Sequence, residues 1–388
     1  MTISRKVSAF AFGLILIFGC RPPIDGVPDA SASSIAGELR TSRDVFVRVH
    51  LPQMADAIAA PIVNAIARNV VGSAGVQLEI AAPISAFDAF QVEDELDVVN
   101  IFLATPSAAA VGISTGADLV MISGLQRASG FRLAVRAGGP MAIGSLEPGA
   151  ILVQGRPGDQ APLSQVLRSA GVNLGAQTYE FQDPTLPLDP TRLFDGSLSA
   201  ILLNSWDGLA RIQEYSEPET NSSVGPEATM ILAGNEDDLL GNAPGLGLWV
   251  PRHELEVEDK RVAMALTIIA LADGLVRCRD DIVTCADLIN GASILDRYGN
   301  SVLWSINEYN KTLWPAPDGS LLGALTIDKA RVLDAIADAR EVGVVSTDVS
   351  ADSLFDMRVI ELVEQYLPTG IDLVGNGWEQ FLVDLPLQ

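Results

Sequence analysis

Few residues in this 388-residue chain are equipped for covalent or metal chemistry. It holds two histidines, His50 and His253, and three cysteines, Cys20, Cys278 and Cys285. Neither histidine follows a Ser or Cys elbow motif, and both read as structural. Two Cys and two distant His lack ligand spacing, so no metal is expected. No cofactor is expected either. What remains is hydrogen-bonding and anion-binding chemistry at strand-to-helix junctions. Gly155-Arg156-Pro157-Gly158 follows a strand and precedes a helix, placing backbone N–H groups at a helix N-terminus that favours anionic or polar groups. The Gly-Lys-Ser/Thr ending of a Walker A loop is absent. An ordinary βα turn with Asp159 near the helix start accounts for the same residues. Thr105 and Ser107 flank Pro106 at another junction, where α/β proteins place ligands, or where Thr105 simply caps a helix. Asn204, Trp206 and Asp207 stand at a third. There Trp206 could stack on a planar ligand, or pack beside a capped helix start.

The elements that position these loops alternate. Strands are expected over Val45–His50, Val76–Ala81, Asp97–Leu103, Leu119–Ile122 and Phe131–Val135, with helices over Met54–Asn69 and from Pro106. A second set follows: strands at Ala150–Val153, Thr178–Gln182 and Ala200–Leu203, a helical turn at Pro190–Phe194, and helices over Asp159–Ala170 and Trp206–Tyr215. This β-α-β order predicts a largely parallel α/β sheet in each block. Ser216–Pro226 reads as a connection and Gly247–Val250 as a strand. Beyond Pro251 the pattern turns helical, over Val257–Arg277, Ser301–Leu313, Ile327–Glu341 and Ser353–Tyr366. Two blocks and a helical C-terminal tail suggest two lobes with a cleft between them.

At the N-terminus, Arg5 and Lys6 precede an apolar run from Val7 to Phe18, closed by Gly19 and Cys20. A charged start and a short apolar core are the signs of a secretory signal, too short for a permanent span. Residues 20–43, rich in Pro, Ser, Ala and Gly, read as a flexible tether, with folded sequence from Asp44. In an oxidising compartment Cys278 and Cys285 pair as a disulfide only if the helix breaks at Arg279-Asp280-Asp281, because seven residues of unbroken helix separate them too far. Thr284 and Asp287 have capping-box spacing, so a new helix could start there. Two buried thiols are the alternative.

The chain carries 49 acidic and 25 basic side chains, a net charge of −24. Removing residues 1–19 takes away Arg5 and Lys6 and no acid, leaving −26. Such a surface repels nucleic acid, so none is expected as a partner.

The Gly19-Cys20 junction resembles the bacterial lipoprotein signal, in which the Cys is lipidated and becomes the N-terminus. Residues 44 to about 366 resemble the bilobal substrate-binding proteins of ABC importers, type II periplasmic-binding fold. The nearest branch is the one with alkanesulfonate, taurine, nitrate and thiamine-pyrimidine-precursor binders. The stretches that carry the resemblance are 97–107, 119–124, 131–135, 155–171, 194–200 and 304–319, in that order. It implies lobe 1 over 44–138, lobe 2 over 139–226, and completion of lobe 1 with C-terminal helices over 227–388. It implies a non-enzyme: a small molecule held between the lobes with no chemistry done on it, hinge closure, and delivery to a membrane permease with a cytoplasmic ATPase. The ligand-facing residues carried over by position are Pro52, Gln53, Thr105, Ser107, Ser123, Gly124, Gly155, Arg156, Asn204 and Trp206. Such a protein works outside the cytoplasm, lipid-anchored to a bacterial membrane. The chain departs from the pattern at Asp189–Asp195, at the nearby Pro184, Pro187 and Pro190, and in having no clear Arg or His cluster for a sulfonate or nitrate. Two other readings stand beside it: an enzyme on the same scaffold, and a docking lipoprotein that binds no ligand.

Overall fold

Apolar runs and alternations in the sequence become two five-stranded sheets. The computed structural model describes residues 39–52, 57–81, 90, 95–216, 228–234, 240–291, 300–315, 323–346, 349–381 and 383. The signal segment, Cys20 and Gln53 lie outside the described residues.

Strands β1 (Val45–His50), β2 (Val76–Ala81), β3 (Val98–Ala104) and β4 (Leu119–Gly124) join β10 (Gly247–Pro251) in the first sheet, ordered β2-β1-β3-β10-β4. Strands β5 (Phe131–Arg136), β6 (Gly149–Val153), β7 (Gln177–Phe181), β8 (Ala200–Asn204) and β9 (Thr229–Ala233) form the second, ordered β7-β6-β8-β5-β9. β3, β4, β8 and β10 are buried along their whole length, as strands covered on both faces must be. β1 shows the alternation instead: Val45, Val47 and Val49 are sealed, while Phe46 is exposed.

The sheets are mixed rather than wholly parallel. β1 runs parallel to β2 and β3, and β6 parallel to β7 and β8. The strands that complete each sheet after a crossing run antiparallel: β10 against β3 and β4, β5 against β8 and β9. This pairing also moves the lobe boundaries. β5, expected at the end of lobe 1, belongs to the second sheet, and so does β9, which lies beyond the expected end of lobe 2. The chain therefore crosses between sheets at residues 125–130 and 234–246, not at 138 and 226. An apolar run declares a strand but not the sheet it joins.

Helices cover both faces of each sheet. In lobe 1, α1 (Ala59–Ala67) and the long α6 (Glu258–Asp280) pack with β1 and β3 in the largest core. They approach so closely that a Cβ on Gly274 would lie 2.2 Å from the Pro61 carbonyl oxygen. The opposite face holds α2 (Pro106–Ser114) and α9 (Lys329–Glu341) over Phe102, Met121 and Trp249. In lobe 2, α3 (Ala161–Ser169) covers one face, and α4 (Thr191–Phe194) and α5 (Gly208–Gln213) the other. The tail helices α7 (Ile282–Gly291), α8 (Asn300–Lys311) and α10 (Arg358–Tyr366) add to the lobe 1 core.

The Cys278–Cys285 disulfide is formed, with a Cα–Cα distance of 5.2 Å. The helix breaks as the bridge demands, at Asp281 between α6 and α7. The new helix is capped by Asp281, whose carboxylate accepts from Thr284 N at 3.1 Å, and not by Thr284. No described helix is long and apolar enough to cross a membrane.

Candidate functional site

The parallel strands of both lobes end at the same place. β1 and β3 deliver Leu51 and Thr105 from lobe 1, and β6 delivers the Gly155–Asp159 turn from lobe 2. Thr105 has the extended conformation of an N-cap, and its hydroxyl oxygen accepts from Ala108 N at 3.2 Å. The same hydroxyl donates across the cleft to the Asp159 carboxylate. Asp159 also accepts from the Arg156 backbone N at 2.7 Å, which closes the turn. Gly155 is required there, because a Cβ would lie 2.5 Å from the Asp159 carboxylate.

Arg156 is the centre of the arrangement. Its side chain is 2% exposed and points out of lobe 2 into lobe 1. Nη1 donates to Leu103 O at 2.9 Å and Nη2 to Leu51 O at 3.0 Å. The guanidinium stands 5.3 Å from the centre of the Phe90 ring. Nε has no hydrogen-bond partner among the described residues. Burial pulls the Arg156 pKa down to about 10, opposed by the Asp159 charge. Burial likewise raises Asp159, against the bonds from Thr105 and Arg156.

The lobes touch closely beside this contact. Gly158 has φ +113, and a Cβ there would lie 2.5 Å from Ala108 Cα in lobe 1. Further out, α3 of lobe 2 meets α9, which rests on α2 of lobe 1. Gln165 donates to Asp338 O and to Glu341, each at 3.2 Å, and Arg168 pairs with Glu341.

The other residues singled out by sequence are placed less centrally. Ser123 is fully buried, its hydroxyl 2.8 Å from Gly124 O and 3.0 Å from Leu325 O. Gly124 lies under the Thr326 carbonyl, which a Cβ would meet at 2.2 Å. Ser107 is buried beside Ala335 O. Pro52 is half-buried. Asn204 accepts from Asp207 N at 2.7 Å and Gly208 N at 3.0 Å, capping α5. Trp206 is 3% exposed, edge-on to Tyr309 with ring centres 5.5 Å apart, and packs on Gly130 at the first crossing. The structure thus joins Thr105, Gly155 and Arg156 in one contact. It seals Ser107, Ser123 and Gly124 beneath other segments, and gives Asn204 and Trp206 capping and packing roles. Sequence reasoning missed the two strand-end carbonyls, which carry no signature, and Asp159 as a bridge. The Arg-x-x-Asp spacing in the turn was the available signal.

Near the cleft end of β1, His50 is buried, stacked on Phe102 at 4.6 Å, with Nε2 3.0 Å from Asn100 Oδ1. Burial chiefly, and then the charges of Arg156 and Arg48, lower its pKa to about 4. Asn100 in turn donates to Glu254, which burial shifts upward. Two open recesses lie by the crossings. One of about 30 Å³ is lined by residues including Arg127, Arg132 and Lys311, and one of about 510 Å³ by Arg127, Asn242, Pro315, Asp328 and Arg331. Neither is lined by the ligand-facing residues expected from sequence.

No family model matches the chain, and no curated protein matches it. Solved structures do. The alkanesulfonate-binding protein SsuA from Xanthomonas axonopodis pv. citri, bound to MOPS, aligns over 81% of this chain and 99% of its own, with TM-score 0.58 and 13% identity. The periplasmic nitrate-binding protein NrtA from Synechocystis PCC 6803 aligns over 86% and 92%, with TM-score 0.61 and 7% identity. The ligand-binding component of an ABC-type import system from Staphylococcus aureus aligns over 84% and 99%, with TM-score 0.58 and 11% identity. Such identities speak for the fold, and the fold of this chain is the two-lobed α/β fold of ABC-importer binding proteins, in the form shared by alkanesulfonate and nitrate binders.

Proposed function

We propose that the chain is a solute-binding protein that takes a small molecule between its lobes and delivers it to an ABC importer. It would work outside the cytoplasm, held to a membrane by lipid on Cys20, with the importer's permease and ATPase as partners. The observation that carries this reading is the convergence of parallel-strand ends from two sheets on one cleft. Ligands of α/β sheets bind outside the carboxyl ends of their strands. Here lobe 2 sends Arg156 across that space to the ends of β1 and β3. Two crossings of the chain link the lobes, which suits closure about a hinge. The similarity to importer binding proteins supports the same reading.

A second reading, a docking lipoprotein that binds no ligand, is favoured by one observation: the strand ends are already occupied by Arg156. A thermal-shift screen of the purified protein separates the two. The panel holds sulfonates, nitrate, pyrimidines, amines and amino acids. A bound ligand at a hundred times its Kd adds about 2.7 kcal/mol. Stabilisation by one chemical class is the expected outcome. A flat response across the panel favours the docking reading.

A further inference from the structure

We propose that the cleft is built for a small organic cation bearing N–H donors, of the guanidinium or primary-ammonium class, and that Arg156 holds its place as a tethered stand-in. This deepens the solute-binding reading and rests on it. The wall that lobe 1 presents to the guanidinium consists of acceptors. Leu103 O and Leu51 O each take one Arg156 N–H, at 2.9 and 3.0 Å. The Phe90 face lies 5.3 Å away and suits a cation. The Asp159 carboxylate, 4% exposed, supplies the compensating charge from the lobe 2 side.

An anion would find little there. The start of α2 would otherwise draw one. That end is already served: the Thr105 hydroxyl accepts from Ala108 N and donates a hydrogen bond to the Asp159 carboxylate. Gly158 lies against Ala108 and closes the rest.

The grip on Arg156 is incomplete in a way that suits a displaceable group. Among the described residues its guanidinium donates to no carboxylate and its Nε is unpartnered, and burial weakens its hold on the proton. A ligand of the same charge would leave the electrostatics of the cleft unchanged while Arg156 returned to water.

The test compares wild type with Arg156→Ala, using ethylguanidinium, ethanesulfonate and n-propanol at matched ionic strength. In Arg156→Ala the strand-end carbonyls lose their donor. Ethylguanidinium is expected to raise its Tm by about 3 °C at a hundredfold excess over Kd. Wild type should bind the same probe at least about tenfold more weakly, because its own guanidinium competes. Ethanesulfonate and n-propanol should move neither protein. Should Arg156→Ala fail to fold, Arg156→Lys serves: its shorter ammonium cannot fork to both carbonyls, and the probe should still bind more tightly than to wild type. Indifference of the folded variant to ethylguanidinium overturns the proposal. Stabilisation of wild type by ethanesulfonate, lost on removing Arg156, also overturns it, while leaving the solute-binding reading intact. No response of any of these proteins to the probes or to the wider ligand panel removes both.

Discussion

His50 shows how one buried ring ties stability to pH. Its Nε2 faces Asn100 Oδ1, so the neutral ring carries its proton there, and Nδ1 is the bare, unpartnered nitrogen. The folded pKa of about 4 lies below the ordinary 6.5. A depressed pKa contributes stability that is fully present above pH 6.5 and is lost as pH falls toward 4, where the folded ring finally protonates. The loss over that window is about 3 kcal/mol. Urea unfolding at pH 7 and pH 4 should show a shallower pH dependence in His50→Gln, which keeps the donor to Asn100 but cannot titrate. Identical slopes in the two proteins would refute this. At the residue scale the sequence pointed to the right turns but not to what their side chains would do. Strand-to-helix junctions marked Thr105 and Arg156. Nothing in the sequence could show that Arg156 would be held by main-chain carbonyls of the other lobe, since every residue has one. Trp206 was legible as an aromatic at a junction. Whether such a ring faces a ligand or a Tyr309 depends on packing that arrives from a helix a hundred residues later.

Among the elements, the α6–α7 break has a measurable consequence. The helix stops at Asp281, and the disulfide then spans a closed loop from Cys278 to Cys285. For a loop of about eight residues the chain-entropy account gives about 2–3 kcal/mol. Reduction should lower the Tm of wild type, and a Cys278→Ser/Cys285→Ser protein should start lower and ignore the reductant. Equal sensitivity of both to reductant would exclude the bridge as the cause. This element was legible because two constraints met: an oxidising compartment asks for a bridge, and helix geometry forbids one without a break. β9 was not legible. Thr229–Ala233 is short and mostly half-buried at a sheet edge, after a polar stretch that reads as a loop. The antiparallel course of β5 and β10 escaped for another reason. Direction in a sheet is set by where the chain crosses between lobes, which local periodicity does not encode.

On the scale of the whole molecule, the entry of the described chain and the cleft stand at opposite ends of one strand. Ser42 is clamped to Asp259, its N 2.8 Å and its hydroxyl 2.6 Å from the two carboxylate oxygens, just before β1 begins. The six residues of β1 span about 20 Å, and the strand ends beside the Arg156 contact. If Cys20 carries the lipid, Cys20→Ser should move the protein from the membrane fraction to the supernatant; retention of that variant on the membrane would overturn the anchor. The polarity of β1 then has a steric meaning. The described chain enters at the end of lobe 1 opposite the cleft, so under the proposed anchor the mouth would open away from the point of attachment.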